Sequence, residues 1–142
     1  MLGRGDNAFD IYRRTCPAYQ EEGSDIRRAE PYIYAQTVAA RASYHEGAAR
    51  NSWLTGTASW SFVNISQYIL GVKPTPDGLM IDPCLPGELT EYTVNRRYRG
   101  AVYHIHVKRT GAPAMTVDGE SVSGKIVPIA EGKKEYCVEV HV

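Results

Sequence analysis

The chain has 142 residues, enough for one domain of ordinary size or for parts of two. Its 16 Lys and Arg balance 16 Asp and Glu, so no net field draws it to nucleic acid or to an anionic membrane. No apolar run approaches a bilayer span, and Met1–Leu2–Gly3–Arg4–Gly5–Asp6 lacks the apolar core of a secretory signal, so the expectation is a soluble, cytoplasmic chain.

From Asp6 to about Gly71 the apolar pattern is helical, broken by two polar loops. Asp6 is placed to cap a helix running to about Thr15, with Ala8, Ile11 and Tyr12 on one face, and Pro17 ends it. Gln20 to Glu30 is rich in charge and reads as a connecting loop with a turn at Gly23–Ser24. Pro31 suits the first turn of a second helix, Tyr32 to about Arg41, with Tyr34, Ala35, Val38 and Ala39 on its apolar side. The stretch from Tyr44–His45–Glu46–Gly47 to Asn51–Ser52 has little apolar period and reads as a long loop of the kind that often carries function. A third helix starts near Gly56 and runs to Leu70, with Gly71 as its stop. Ala58, Trp60, Phe62, Val63, Ile65, Tyr68, Ile69 and Leu70 leave it only a narrow polar strip, which predicts burial on most sides.

After Lys73–Pro74–Thr75–Pro76–Asp77–Gly78 the period changes to two, and the run through Pro86–Gly87 reads as a linker or a set of turns. Residues 1–73 and 74–142 are therefore expected to form different structures. Tyr92, Val94, Arg96 and Tyr98 alternate with polar neighbours, as do Tyr103, Ile105 and Val107. Asp118–Gly119 is a hairpin signal, and Val138, Val140 and Val142 alternate again. The expected fold class is α+β, helices followed by a small antiparallel β-sandwich.

The sharpest candidate site is Thr55–Gly56, at the mouth of the third helix. A helix N-terminus offers unpaired N–H groups and a positive dipole end, and glycine lets an anion approach the backbone, so a phosphate fits there. The same pair also reads as an ordinary cap, with Thr55 accepting from the helix and Gly56 easing the turn. Trp53 and Trp60 on either side are read as walls of a pocket or as core.

Other clusters are weaker. Cys16, Cys84 and Cys137 are widely spaced and form no C-x-x-C pair, which favours small packed residues over a disulfide framework, a zinc site or a catalytic thiol. Asp25 and Glu30 sit beside Arg27 and Arg28, so surface ion pairing is expected rather than an acid pair. His104 and His106 share one strand face with Lys108, and no Cys or carboxylate is near in sequence, so solvent-facing residues are expected and no metal is assigned. His45–Glu46 is read either as shaping the mouth of the pocket or as a solvated loop.

Several motifs occur in one order: Glu30–Pro31–Tyr32–Ile33–Tyr34–Ala35–Gln36, Asn51 to Trp60, Ile69–Leu70–Gly71–Val72–Lys73–Pro74, and Gly78–Leu79–Met80–Ile81–Asp82–Pro83–Cys84–Leu85–Pro86. Together they resemble the C-terminal part of glycoside hydrolase family 94, which includes cellobiose, cellodextrin and chitobiose phosphorylases. The resemblance spans Leu2 to about Val107 and fades beyond Arg109. It implies the last helices of an (α/α)6 catalytic barrel over residues 1–73, then a linker and C-terminal sandwich over 74–142. It also implies inverting phosphorolysis, in which one Asp acid protonates the glycosidic oxygen while inorganic phosphate attacks the anomeric carbon, so a second carboxylate is not needed. Phosphate is then a co-substrate and no cofactor is implied.

The family's phosphate-binding Thr–Gly pair corresponds to Thr55 and Gly56. Its acid, its phosphate-binding Arg and His, and most sugar contacts fall before Met1, so this piece is expected to be a truncation, inactive alone. The implied partners are a disaccharide or oligosaccharide, phosphate and a second copy in a homodimer. The competing reading is a carbohydrate-associated accessory module or a structural remnant. It is weakened because the β half after Tyr92 offers only Tyr98, Tyr103 and Tyr136, and no Trp, as a sugar platform.

Overall fold

The structure, a computed structural model, describes residues 3–142. Leu2 of the expected turn at residues 2–6 lies outside the described residues. The chain divides into two compact units, one of residues 7–65 and one that joins residues 66–142 to the segment ending at Asp6.

Helix α1 spans Gly5–Thr15 and runs into the first unit. It starts one residue before the expected cap, and Gly5 is pressed onto the Leu85 carbonyl: a Cβ there would lie 2.3 Å from that oxygen. Asp6 lies in the first turn, and its Oδ1 accepts from the Gly87 amide at 2.6 Å. After α1 a short 3-10 turn over Pro17–Tyr19 and a one-turn helix α2, Ser24–Arg27, occupy the expected loop. Arg28, at φ 53°, ends α2.

The second predicted helix is replaced by a strand. Residues Ala35–Val38 form β1, which pairs antiparallel with β2, Ala49–Ser52, so part of the expected long loop is strand too. The apolar spacing of Tyr34, Ala35, Val38 and Ala39 fits a helix, but Ile33, Tyr34, Thr37 and Val38 are β-branched or aromatic and prefer a pleated surface. Burial of Ile33 and Ala48, both 6 % exposed, anchors the hairpin.

Helix α3, Thr57–Val63, continues into a π-helical stretch over Asn64–Ile69, and Gly71 follows at φ 70°. The extent matches the sequence expectation; the burial does not. Trp60 and Phe62 are 75 % and 61 % exposed, and only Ile69 at the far end is buried. None of the residues of α3 is buried.

In the second unit the expected linker contains a β-hairpin: β3, Val72–Thr75, pairs with β4, Gly78–Ile81. Pro74 is accommodated because β3 is the outer strand of a three-stranded sheet, β3-β4-β9, where its missing N–H costs no ladder bond. Strand β9 is Ile126–Pro128. The second sheet has five strands in the order β5-β6-β10-β7-β8. Strands β5, Glu91–Tyr98, and β6, Ala101–Lys108, form the hairpin predicted by alternation. Strands β7, Ala114–Val117, and β8, Glu120–Ser121, turn at Asp118–Gly119, both at positive φ.

Strand β10, Glu135–His141, corrects the all-antiparallel expectation: it lies between β6 and β7, parallel to the first and antiparallel to the second. Val72, Leu79, Ile81 and Val127 from the small sheet share one buried cluster with Tyr103, Ile105, Val107, Met115, Tyr136, Val138 and Val140 from the large one. Two mainly antiparallel sheets sharing one core are compatible with a β-sandwich. Tyr103 and Tyr136 stack at 4.4 Å inside that core, where burial pushes the Tyr103 phenol up to about 12.

Candidate functional site

Thr55 stands before α3 with its hydroxyl turned onto the helix. Its Oγ1 accepts from the Thr57 amide at 3.0 Å and lies 2.7 Å from the Thr57 hydroxyl. One of the first-turn N–H groups that a helix leaves unpaired is therefore held by Thr55 itself. Gly56 is the N-cap, and the Trp60 indole packs beside it: a Cβ on Gly56 would meet Trp60 Cδ1 at 3.5 Å. The polypeptide reaches this point under strain, since Trp53 has φ 72° and Asn51 φ 53°, unfavourable for residues bearing a Cβ. Trp53 is 68 % exposed; its indole N–H donates to Glu30 at 3.2 Å and its ring meets Tyr32 edge-on at 6.3 Å.

That bond changes the reading of Glu30. Its carboxylate is held below the usual range first by a backbone hydrogen bond and then by the Trp53 indole. Arg28 donates to the Asp25 backbone carbonyl at 3.4 Å, and Arg27 Nη2 donates to the Ile33 carbonyl, so both guanidinium groups bind main chain. The His45–Glu46 loop closes on itself: Glu46 accepts from the Ala42 amide at 3.1 Å, and Tyr44 packs on the His45 ring at 4.6 Å. In the β unit, His104 Nδ1 is 2.7 Å from Asn95 Oδ1 and His106 Nε2 is 2.6 Å from Glu91 Oε1. Among the described residues no group of three His, Cys, Asp or Glu is arranged to hold a metal ion.

Sequence reading missed a cleft of about 420 Å³ within the first unit. Arg27, Gln20, Ile26, Tyr34, Val38 and Thr57 are among its lining residues. Thr57 links it to the Thr55–Gly56 segment. Only the positions of β1 and α2 bring these residues together, and both were expected to have other conformations.

The Glycosyl hydrolase 94 superfamily catalytic domain matches residues 1–71, the part that carries Thr55 and Gly56. The chain belongs to this superfamily. Residues 72–123 match the C-terminal domain of glycosyl hydrolase family 65. An N,N'-diacetylchitobiose phosphorylase of Vibrio proteolyticus is 38 % identical over 144 residues, covering 98 % of this chain and 18 % of that protein. A solabiose phosphorylase of Paenibacillus borealis is 34 % identical over 145 residues, covering 99 % of this chain and 19 % of that protein. A 3-O-beta-D-glucopyranosyl-beta-D-glucuronide phosphorylase of the same species is also 34 % identical, over 146 residues, 99 % of this chain and 19 % of that protein. The chain thus spans less than a fifth of the length of these relatives. No described helix is long and apolar enough to cross a membrane.

Proposed function

We propose that this chain is the C-terminal piece of an inverting glycoside phosphorylase, which uses inorganic phosphate to cleave a β-linked disaccharide or oligosaccharide to a sugar 1-phosphate. Residues 1–73 are the closing helices of an (α/α)6 barrel and residues 74–142 a linker and sandwich. Thr55 and Gly56 contribute part of the phosphate site, and the working enzyme is a cytoplasmic homodimer. The observation that carries the reading is the position of Thr55–Gly56 at the start of α3, inside the segment that matches the family's catalytic domain. With Thr55 already holding the Thr57 amide, an arriving phosphate meets the Gly56 backbone and the next first-turn amides, with the dipole end behind them.

Binding of sugar by the β half is disfavoured by its aromatic residues. Tyr103 and Tyr136 are 1 % and 2 % exposed, and the Tyr98 hydroxyl is tied to the Thr75 carbonyl at 2.6 Å, so none forms an open platform.

The test is a chimera in which this chain replaces the corresponding C-terminal segment of the Vibrio proteolyticus phosphorylase. Phosphorolysis of diacetylchitobiose should be retained, and Thr55→Val or Gly56→Ala should raise the KM for phosphate about tenfold or more while leaving sugar KM nearly unchanged. An active chimera whose phosphate KM ignores both substitutions would sink the assignment.

A further inference from the structure

We infer that Glu30 is a positioning residue for Thr55–Gly56: its carboxylate clamps the turn between β2 and α3 and so fixes where that segment meets phosphate. The ligand rests on the phosphorolysis reading; the clamp stands on geometry within the first unit.

The connection from β2 to α3 is short. Strand β2 ends at Ser52 and Gly56 is already the N-cap of α3, so Trp53, Leu54 and Thr55 alone carry the chain across. Asn51 and Trp53, which set its direction, are both in the left-handed region, at φ 53° and 72°, unfavourable for residues with a Cβ. The turn's own backbone bonding is thin, since the Leu54 amide reaches the Asn51 carbonyl only at 3.4 Å. Such conformations persist where surrounding groups over-determine them.

Those groups come from either end of β1. Asn51 Nδ2 donates to Gln36 Oε1 at 2.9 Å. The Trp53 indole N–H donates to Glu30 Oε1 at 3.2 Å, and the Ser52 side chain hydrogen-bonds the same carboxylate. One anion therefore holds two consecutive residues of the turn, and its charge strengthens both bonds. Glu30 is itself anchored: its carbonyl accepts from the amide of buried Ile33 at 3.1 Å. Thr55 follows Trp53 by two residues, so releasing Trp53 from its left-handed conformation redirects the chain at Thr55. A displacement of about 1 Å is enough to cost up to about a hundredfold where a reacting group must be positioned.

The chimera described above tests the clamp. Glu30→Ala, and Trp53→Phe, which lacks the indole N–H, should each raise the KM for phosphate about tenfold with sugar KM nearly unchanged. Glu30→Gln keeps an acceptor for the indole and should stay within about threefold of the unaltered chimera. Because Glu30 acts through the turn, the double variant Glu30→Ala, Trp53→Phe should be little worse than either single change. An unmoved phosphate KM in Glu30→Ala beside a raised one in Thr55→Val overturns the clamp and leaves the phosphorolysis reading standing; unmoved values in both remove both. Loss in Glu30→Gln equal to that in Glu30→Ala, or equal rises in the two KM values, also overturns it. If Glu30→Ala does not fold, Trp53→Phe beside Glu30→Gln decides. In the chain alone, hydrogen exchange of the 53–57 peptide, read by mass spectrometry, should quicken in Glu30→Ala and not in Glu30→Gln. Unchanged exchange in Glu30→Ala overturns the clamp whatever the chimera does.

Discussion

At the residue scale, Thr55 has a structural duty that any ligand role must share. Its Oγ1 accepts from the Thr57 amide across the Gly56 N-cap, so Thr55→Val should cost about 1 kcal/mol of stability, the usual net value of one hydrogen bond. Urea denaturation of the isolated chain followed at 222 nm measures it, and a cost near zero would show that the bond is idle.

Asp118 offers a second test. Its carboxylate accepts from the Cys137 amide at 3.0 Å and pairs with Lys133, and these contacts, the backbone bond foremost, hold its pKa below the ordinary 3.8. The tie is fully present above that ordinary value and is lost as the pH falls through the lower folded one. The protection factor of the Cys137 amide, its exchange rate set against that of an unprotected amide at the same pH, should therefore fall under acid in the native chain, while Asp118→Asn should show little of that acid dependence.

How far these residues could be read in advance depended on how local their signals were. Thr55–Gly56 and Asp118–Gly119 declared themselves because capping and tight turns are governed by a few consecutive residues. Arg27 did not. Its position in a cleft depends on the partner of β1, and that partner, β2, begins beyond a loop of polar residues with no apolar period.

At the element scale, the same contrast explains the misread helix. Residues 32–41 satisfy a helical spacing and a strand preference at once, and pairing with β2 decided the outcome. Alternation in β5, β6 and β10 correctly announced strands, but it is the same for either direction of pairing, so the parallel β6–β10 ladder was not legible. That ladder makes β10 a central strand. Glu139 faces outward on it, opposite His106 on one side and Thr116 on the other, so Glu139→Pro changes no core volume yet removes an amide from the middle of the sheet. The substitution should unfold the sandwich unit, seen as loss of the near-ultraviolet tyrosine signal, whereas Glu139→Thr should be nearly silent. Retention of that signal in the proline variant would mean that β10 is dispensable.

For the whole molecule, the exposed aromatic surface is the dominant fact. Trp60 and Phe62 are 75 % and 61 % exposed, although the sequence reads as a helix to be buried, and Leu54 just before that helix is 73 % exposed. Apolar area of this kind drives association unless something covers it. The isolated chain should form soluble oligomers or precipitate at micromolar concentration, and the double variant Trp60→Ser, Phe62→Ser should shift it towards monomer in sedimentation experiments. Under the proposed reading, the preceding part of the catalytic barrel covers this surface. Strictly monomeric behaviour of the unaltered chain would remove that surface as evidence for a missing partner.

The placement of β10 also sets an order of assembly. Until residues 135–141 arrive, the large sheet exists as two separate hairpins, β5–β6 and β7–β8, with the strand that joins them missing. On the ribosome this unit must therefore wait for residues 135–141 before its core can close, and a nascent chain stalled before β10 emerges holds an open, sticky half-sandwich.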